Sequence, residues 1–109
     1  MTAADIAAHA IMVAERDGTV VGMAQVALHG ASAEIDKLFV DPTVLRSGAG
    51  RALYDWCIET ARKAGAKLIT MDADPDAAPF YRRMGALDDG VTPSGSIAGR
   101  FLPRLKVVL

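Results

Sequence analysis

A layered α+β protein, in which helices pack on a mixed sheet, follows from three features of the sequence. Strand-like runs fill its first forty residues, a long amphipathic stretch comes next, and strand and helix patterns then alternate. The element order is β-β-β-α-β-α-β-β, which gives an α/β or α+β sandwich. With 109 residues and 51% apolar content, the chain suits one small domain with a real core, residues 1–109, and not a disordered segment.

The stretch "AIMVAERDGTVVGMAQVAL" reads as two strands joined at Asp17-Gly18, a strong hairpin signal. Gly22 lies inside the second, where glycine marks a bulge or close packing. The run "AEIDKLFV" is a third strand. A strict period of two groups Glu34, Asp36, Leu38 and Val40 on one face and Ile35, Lys37 and Phe39 on the other. Residues 2–9 are Ala-rich and suit one helical turn or a frayed end.

From about Gly48 to Ala64 the spacing predicts a helix with Leu53, Trp56, Cys57, Thr60, Ala61 and Ala64 along one stripe. Trp56 and Cys57 therefore read as core residues, and Gly65 as the stop signal. "KLITMDAD" is a fourth strand, apolar enough to be central. "DPDAAPFYRRMG" is a short helix that Asp74 or Asp76 can cap and Gly85 can end. After "ALDDGV" and a polar loop, "FLPRLKVVL" is the last strand, and Pro103 places it at an edge or a bulge.

Bulk properties narrow the function. A formal net charge of −1 leaves no nucleic-acid footprint. No apolar run reaches membrane-spanning length, and the first ten residues lack a signal-peptide pattern. A single cysteine excludes an internal disulfide, so a cytoplasmic location is expected. His9 and His29 stand apart from any Cys/His cluster, so no metal site is expected.

The motif that asks for chemistry is Gly48-Ala49-Gly50, between an Asp-Pro break and the long helix. A nucleotide P-loop would need Gly-Lys-Ser/Thr, and a Rossmann fingerprint would need glycine at Leu53; both are absent. Two readings stay open: a turn of small residues, or a helix start whose bare N–H groups attract phosphate.

The neighbouring residues resemble motif A of the GNAT superfamily of acyl-CoA-dependent N-acetyltransferases. The family pattern Gln/Arg-x-x-Gly-x-Gly/Ala falls on Leu45-Arg46-Ser47-Gly48-Ala49-Gly50. Both glycine positions match, and Leu45 departs from Gln/Arg. Downstream, residues 74–86 are similar to the family's Asn-x-x-Ala-x-x-Phe-Tyr-x-x-x-Gly-Phe. Phe80, Tyr81 and Gly85 match; Asp74 and Ala86 depart. The resemblance covers roughly residues 10–109.

This resemblance implies a largely antiparallel mixed sheet with a splayed central parallel pair and two main helices. It implies acetyl-CoA, or another acyl-CoA, as donor. Residues 45–51 (Leu45, Arg46, Ser47, Gly48, Ala49, Gly50 and Arg51) would cradle its pyrophosphate, and Leu38, Phe39 and Val40 would pair with its pantetheine arm. Asp74, Phe80 and Tyr81 would complete that site. Tyr81 would be the acid for the leaving thiolate, and Glu34 the base that activates a primary amine, directly or through water. Tyr81 as a packing aromatic, and Glu34 with Asp36 as solvated carboxylates, are the plainer readings of the same letters. Asp36 on the strand, and Ser94 and Ser96 in the polar loop, would face the acceptor, with Glu34.

The family normally has a strand and two helices before the first hairpin, and this chain has at most nine residues there. The resemblance therefore implies an N-terminally abbreviated domain with an open acceptor side and an exposed sheet edge, which favours a homodimer. A non-catalytic acyl-CoA-binding or partner-binding module on the same fold is the alternative function.

Overall fold

A computed structural model describes residues 8–42, 48–73, 77–93, 99 and 101–109. Among the described residues, six strands and two helices follow one another as β1 (Ala8–Arg16), β2 (Thr19–His29), β3 (Ser32–Val40), α1 (Ala49–Lys63), β4 (Leu68–Asp72), α2 (Ala78–Arg83), β5 (Leu87–Pro93) and β6 (Phe101–Val108). The strands form one sheet in the order β1-β2-β3-β4-β6-β5. The β3–β4 pair is parallel; the other four pairs among the described strands are antiparallel. The expected class and element order are those observed.

Local chemistry explains each boundary. Asp17 (φ 52°) and Gly18 (φ 81°) both take the left-handed backbone of a two-residue hairpin turn, whose twist matches the strands it joins. Gly22 is a close-packing position: a Cβ there would lie 2.9 Å from the Phe39 carbonyl oxygen and 3.0 Å from a Leu53 methyl. α1 ends where Gly65 (φ 90°) returns its N–H to the Arg62 carbonyl, with Arg62 and Lys63 in the last turn, against the negative end of the helix.

Both helices cover the same face of the sheet. Tyr54 of α1 packs against Phe80 and Tyr81 of α2, at centroid distances of 6.1 and 6.0 Å. Beneath them lies one core that includes Ala24, Val26, Ile35, Leu53, Cys57, Ile69, Met71 and Leu105. Burial raises the Cys57 thiol to about 12, so it stays protonated near neutral pH. A thiol reagent should label the native chain far more slowly than the urea-unfolded chain; equal rates would show Cys57 to be exposed by local opening.

Four expectations need correction. The strict alternation on β3 fails at Asp36. Gln25 pairs with Lys37, but Val26 pairs with Ile35, so Asp36 is the extra residue of a β-bulge. The bulge reverses the face parity. Ala33, Ile35, Leu38 and Val40 turn toward the helices, and Glu34, Lys37 and Phe39 turn to the open face. The cap of α2 is also different: Ala77 is the N-cap, without a side-chain bond, and Pro79 in the first turn supplies the start signal. Asp74 and Asp76 lie outside the described residues. Ala8 and His9 belong to β1, not to a helical turn, because their backbones pair with Leu28 and Ala27. Of the two places expected for Pro103, an edge or a bulge, the edge is wrong, since β6 lies between β4 and β5, and the bulge is found: Pro103 pairs with Val91, where the β5–β6 register shifts. It is tolerated one position beyond the last β4 rung, Asp72–Arg104, opposite the irregular Asp88–Val91 stretch of β5.

Candidate active site

The parallel pair is where the sheet opens. β3 and β4 pair from Ser32–Leu68 to Ile35–Met71, and there the rungs stop. β3 continues to Val40 paired only with β2, so from Asp36 onward its inner edge has no strand partner among the described residues. The bulge at Asp36 sits at the start of this divergence, and bulges bend and twist the strand that carries them. An unpaired backbone edge inside a sheet is a costly feature unless something else satisfies it.

A cavity of about 330 Å³ fills the opening. Ile35, Asp36, Leu38 and Phe39 form its β3 side; Asp72 and Ala73 at the carboxyl end of β4 form the other. Tyr81 and Ala77 approach from α2, and Met23 from β2. Ligands of open α/β sheets bind at the carboxyl ends of parallel strands where neighbours diverge, and this wedge has that geometry.

Tyr81 is almost wholly buried and belongs to both the core and the cavity wall. Its ring is held edge-on by Phe80 at 5.5 Å and tilted against Tyr54 at 6.0 Å. The Tyr54 hydroxyl is buried with no hydrogen-bond partner among the described residues. The Glu34 carboxyl lies beside the cavity rather than in its lining. Burial raises its pKa above the ordinary carboxylate range, and the charges of Asp36 and Asp72 raise it further, while Arg104 and His29 pull it down less. The His9 imidazole Nδ1 lies 3.6 Å from Asp36, and the Arg104 guanidinium lies 3.6 Å from Asp72.

The second part of the site is the start of α1. Gly48 is its N-cap at φ 90°, a left-handed backbone that suits glycine, and it offers no side-chain cap. The first turn contains no acidic residue to offset the positive end of the helix. A Cβ on Gly50 would lie 3.5 Å from Val40 and 3.6 Å from Phe80. The helix start therefore abuts the end of β3 and the base of α2, next to the wedge.

The structure brings Asp36, Leu38, Phe39 and Tyr81 together at the cavity and places Gly48, Ala49, Gly50, Val40 and Phe80 beside it. Arg51 is exposed and 3.9 Å from Asp55, on the outer side of α1. Leu45, Arg46, Ser47, Asp74, Ser94 and Ser96 lie outside the described residues. Sequence reasoning missed Asp72 and Tyr54. Asp72 had one signal, an acid at the carboxyl end of an apolar strand. Tyr54 lay one position outside the stripe assigned to the helix; the buried face is Leu53, Tyr54, Cys57 and Ala61, turned away from that stripe, with Trp56 and Thr60 half-buried and Ala64 exposed.

The profile of the Acetyltransferase (GNAT) family matches residues 3–86. An IAA acetyltransferase from Azospirillum brasilense is 33% identical over 84 residues, covering 72% of this chain and 55% of that protein. The chain thus spans about half the length of that curated relative. Among solved structures, an acetyltransferase from Bacillus cereus superposes with a TM-score of 0.81 at 23% identity, over 100% of this chain and 80% of that one. An aminoglycoside 6′-N-acetyltransferase complexed with coenzyme A gives a TM-score of 0.81 at 13% identity, over 92% and 72% of the two chains. At these identities the structures speak for the fold. The family profile covers most of the chain, from the first hairpin to the end of the short helix, and so this chain belongs to the acetyltransferase (GNAT) family.

Proposed function

We propose that this chain transfers an acetyl group from acetyl-CoA to a primary amine. The observation that carries the reading is the wedge: a parallel pair that diverges after four rungs, with no strand on the inner edge of β3 among the described residues, a cavity, and beside it a helix start with no side-chain cap at Gly48. The residues fit the donor. The β3 edge at Leu38, Phe39 and Val40 offers backbone groups to amides in extended conformation, as an added strand would. The first turn of α1, from Gly48 through Ala49, Gly50 and Arg51, favours the charge of a pyrophosphate. Residues 45–47 and 74 belong to the same proposed site by the motif, as do Ser94 and Ser96 on the acceptor side. The name of the Azospirillum relative and the coenzyme A bound to the aminoglycoside enzyme support the same reading.

When bound, acetyl-CoA supplies a thioester as the activated acetyl group. The chain supplies proton handling and orientation. Glu34 takes a proton from the acceptor's ammonium, directly or through a water, and leaves the amine lone pair free to attack. Its raised pKa makes it a better base than an ordinary glutamate. Tyr81, held by its neighbouring rings on the cavity wall, donates its phenolic proton to the departing sulfur. Asp36 and Asp72 give the cavity negative charge that favours a cationic acceptor.

The test has two stages. Saturating acetyl-CoA should raise the melting temperature, since a ligand bound only by the native state stabilises it. No shift would sink the proposal. Thiol release with a panel of amines should then show turnover; a melting shift with no turnover for any amine would mark an acyl-CoA-binding module instead. With a substrate in hand, kcat/KM should fall as pH drops through the raised Glu34 pKa, because the base must be deprotonated. Glu34→Gln should abolish that acid limb along with most activity. The same substitution should slightly stabilise the fold at neutral pH. A carboxyl whose folded pKa is raised favours folding below its unfolded pKa and loses that contribution as pH rises through the folded one. A parental acid limb that persists in Glu34→Gln would assign the base elsewhere.

A further inference from the structure

We propose that the Tyr54 hydroxyl is a binding group of the donor site, one that donates a hydrogen bond to an oxygen of bound acyl-CoA where the pantetheine arm meets the pyrophosphate. The inference rests on the acyl-CoA reading of the wedge. Tyr54 is 3% exposed, and its hydroxyl is the one buried side-chain polar atom without a hydrogen-bond partner among the described residues. Native interiors hold few such groups, because a hydroxyl that loses water and gains no partner destabilises the fold. Packing does not account for it. A phenylalanine would supply the same ring to the contacts with Phe80 and Tyr81, at 6.1 and 6.0 Å, without the orphaned oxygen.

The Tyr54 ring lies where the two halves of the candidate site meet. Side chains on an α-helix lean toward its N-terminus, so residue 54 covers the turn that begins at Gly50. Phe80 bears out this direction: its ring meets Tyr54 edge-on and also lies 3.6 Å from where a Gly50 Cβ would be. Val40, the last residue of β3, comes within 3.5 Å of the same point. Gly50 puts no side chain between the phenol and the helix start. The Tyr54 ring is also tilted against Tyr81, which lines the cavity. A ligand that follows the β3 edge from the cavity to the start of α1 passes Val40 and Gly50, and with them Tyr54.

The chemistry suits such a ligand. Burial first, and then the nearby Asp55 charge, raises the Tyr54 pKa above the ordinary phenol range. The hydroxyl therefore keeps its proton and is a hydrogen-bond donor; what it lacks is an acceptor. Acyl-CoA brings amide carbonyls on its arm and anionic oxygens on its pyrophosphate, and an anionic acceptor makes the stronger bond. The two rings packed on Tyr54 belong to α2, a six-residue helix without a side-chain cap, and the hydroxyl is reached when Phe80 moves aside. Tyr54 transfers no proton; it binds, and the acid role stays with Tyr81.

The test compares the full chain with its Tyr54→Phe variant. Without ligand the variant should melt about 4 °C or more above the parent, because it removes an orphaned group from the interior. Acetyl-CoA affinity, measured by calorimetry, should nevertheless fall about 10-fold, the worth of one hydrogen bond. A packing role cannot give a chain that is more stable and yet binds less well. With an acceptor in hand, KM for acetyl-CoA should rise by a similar factor while kcat at saturation stays near parental. Equal affinity in parent and variant would overturn this inference and leave the acyl-CoA reading intact, whereas a parent that binds no acetyl-CoA would overturn both. A lower melting temperature in the ligand-free variant would show that the hydroxyl already has a partner, and would overturn the inference too. So would a fall in kcat with KM unchanged, which would make Tyr54 a support for Tyr81 alone.

Discussion

Tyr81→Phe should lower kcat by about 10²-fold while leaving the acetyl-CoA-induced melting shift in place. General acid catalysis typically contributes 10²–10⁴-fold, and a tenfold rate change is about 1.4 kcal/mol of barrier. The substitution removes one hydroxyl and keeps the ring. The packing against Phe80 and Tyr54 depends on the ring, so the loss of stability should not exceed the ~1 kcal/mol of one hydrogen bond. The donor binds mainly through backbone edges and the helix start in the proposed site, so its affinity should also persist. An effect on kcat with KM unchanged separates a group used in the transition state from one used in binding. Steady-state thiol release and a melting titration on the same preparation make the comparison. If kcat is parental, the buried tyrosine is only a wall residue.

Much of this site was legible because its letters are local. Gly48 and Gly50 mark a helix start by chemistry that needs only neighbours in sequence, and Phe80-Tyr81 repeat a short motif. The element order could be read for the same reason: hairpin turns, an amphipathic helix and terminating glycines each act over a few residues. The cavity was not legible in that way. It depends on two strands, β3 and β4, running together for four rungs and then parting, and no period in either strand encodes that point. The bulge at Asp36 is the clearest case. Ala33 through Val40 alternates well enough for an unbroken strand, yet one unmatched residue reverses which side chains face the helices. A period-two reading puts Glu34 with Leu38 and Val40, whereas the fold separates them. Pro103 was read by its own restriction as an edge or bulge signal. The chain satisfies that restriction inside the sheet, because β4 stops one residue earlier. Asp72 lacked a partner motif, and its role appears only when the parallel register sets it across the wedge from Asp36.

The rung at which the strands part also carries the second large effect. Met71→Ala should cost about 2–5 kcal/mol of stability, the range for deleting a large buried side chain when the site collapses incompletely. Met71 is 1% exposed and pairs with Ile35 on one side and Leu105 on the other, so neighbours held by two ladders cannot close the space easily. In a domain of this size each kcal/mol moves the melting point by about 4–8 °C, so a drop of at least about 8 °C is expected. Urea titration should show a lower midpoint with an unchanged slope, since the surface exposed on unfolding is nearly the same. Ile69→Ala, two residues earlier and fully buried, should destabilise by a similar amount. The two variants should differ at the site. Ile69 pairs with Ala33, well inside the closed part of the ladder, so its loss should leave acetyl-CoA binding near parental below the melting point. Met71 supports the last rung before the opening, and its loss should also weaken acetyl-CoA binding. Equal donor affinity in both variants, measured by calorimetry well below their melting points, would show that the wedge is held open by β2 and the helices rather than by the end of the parallel pair.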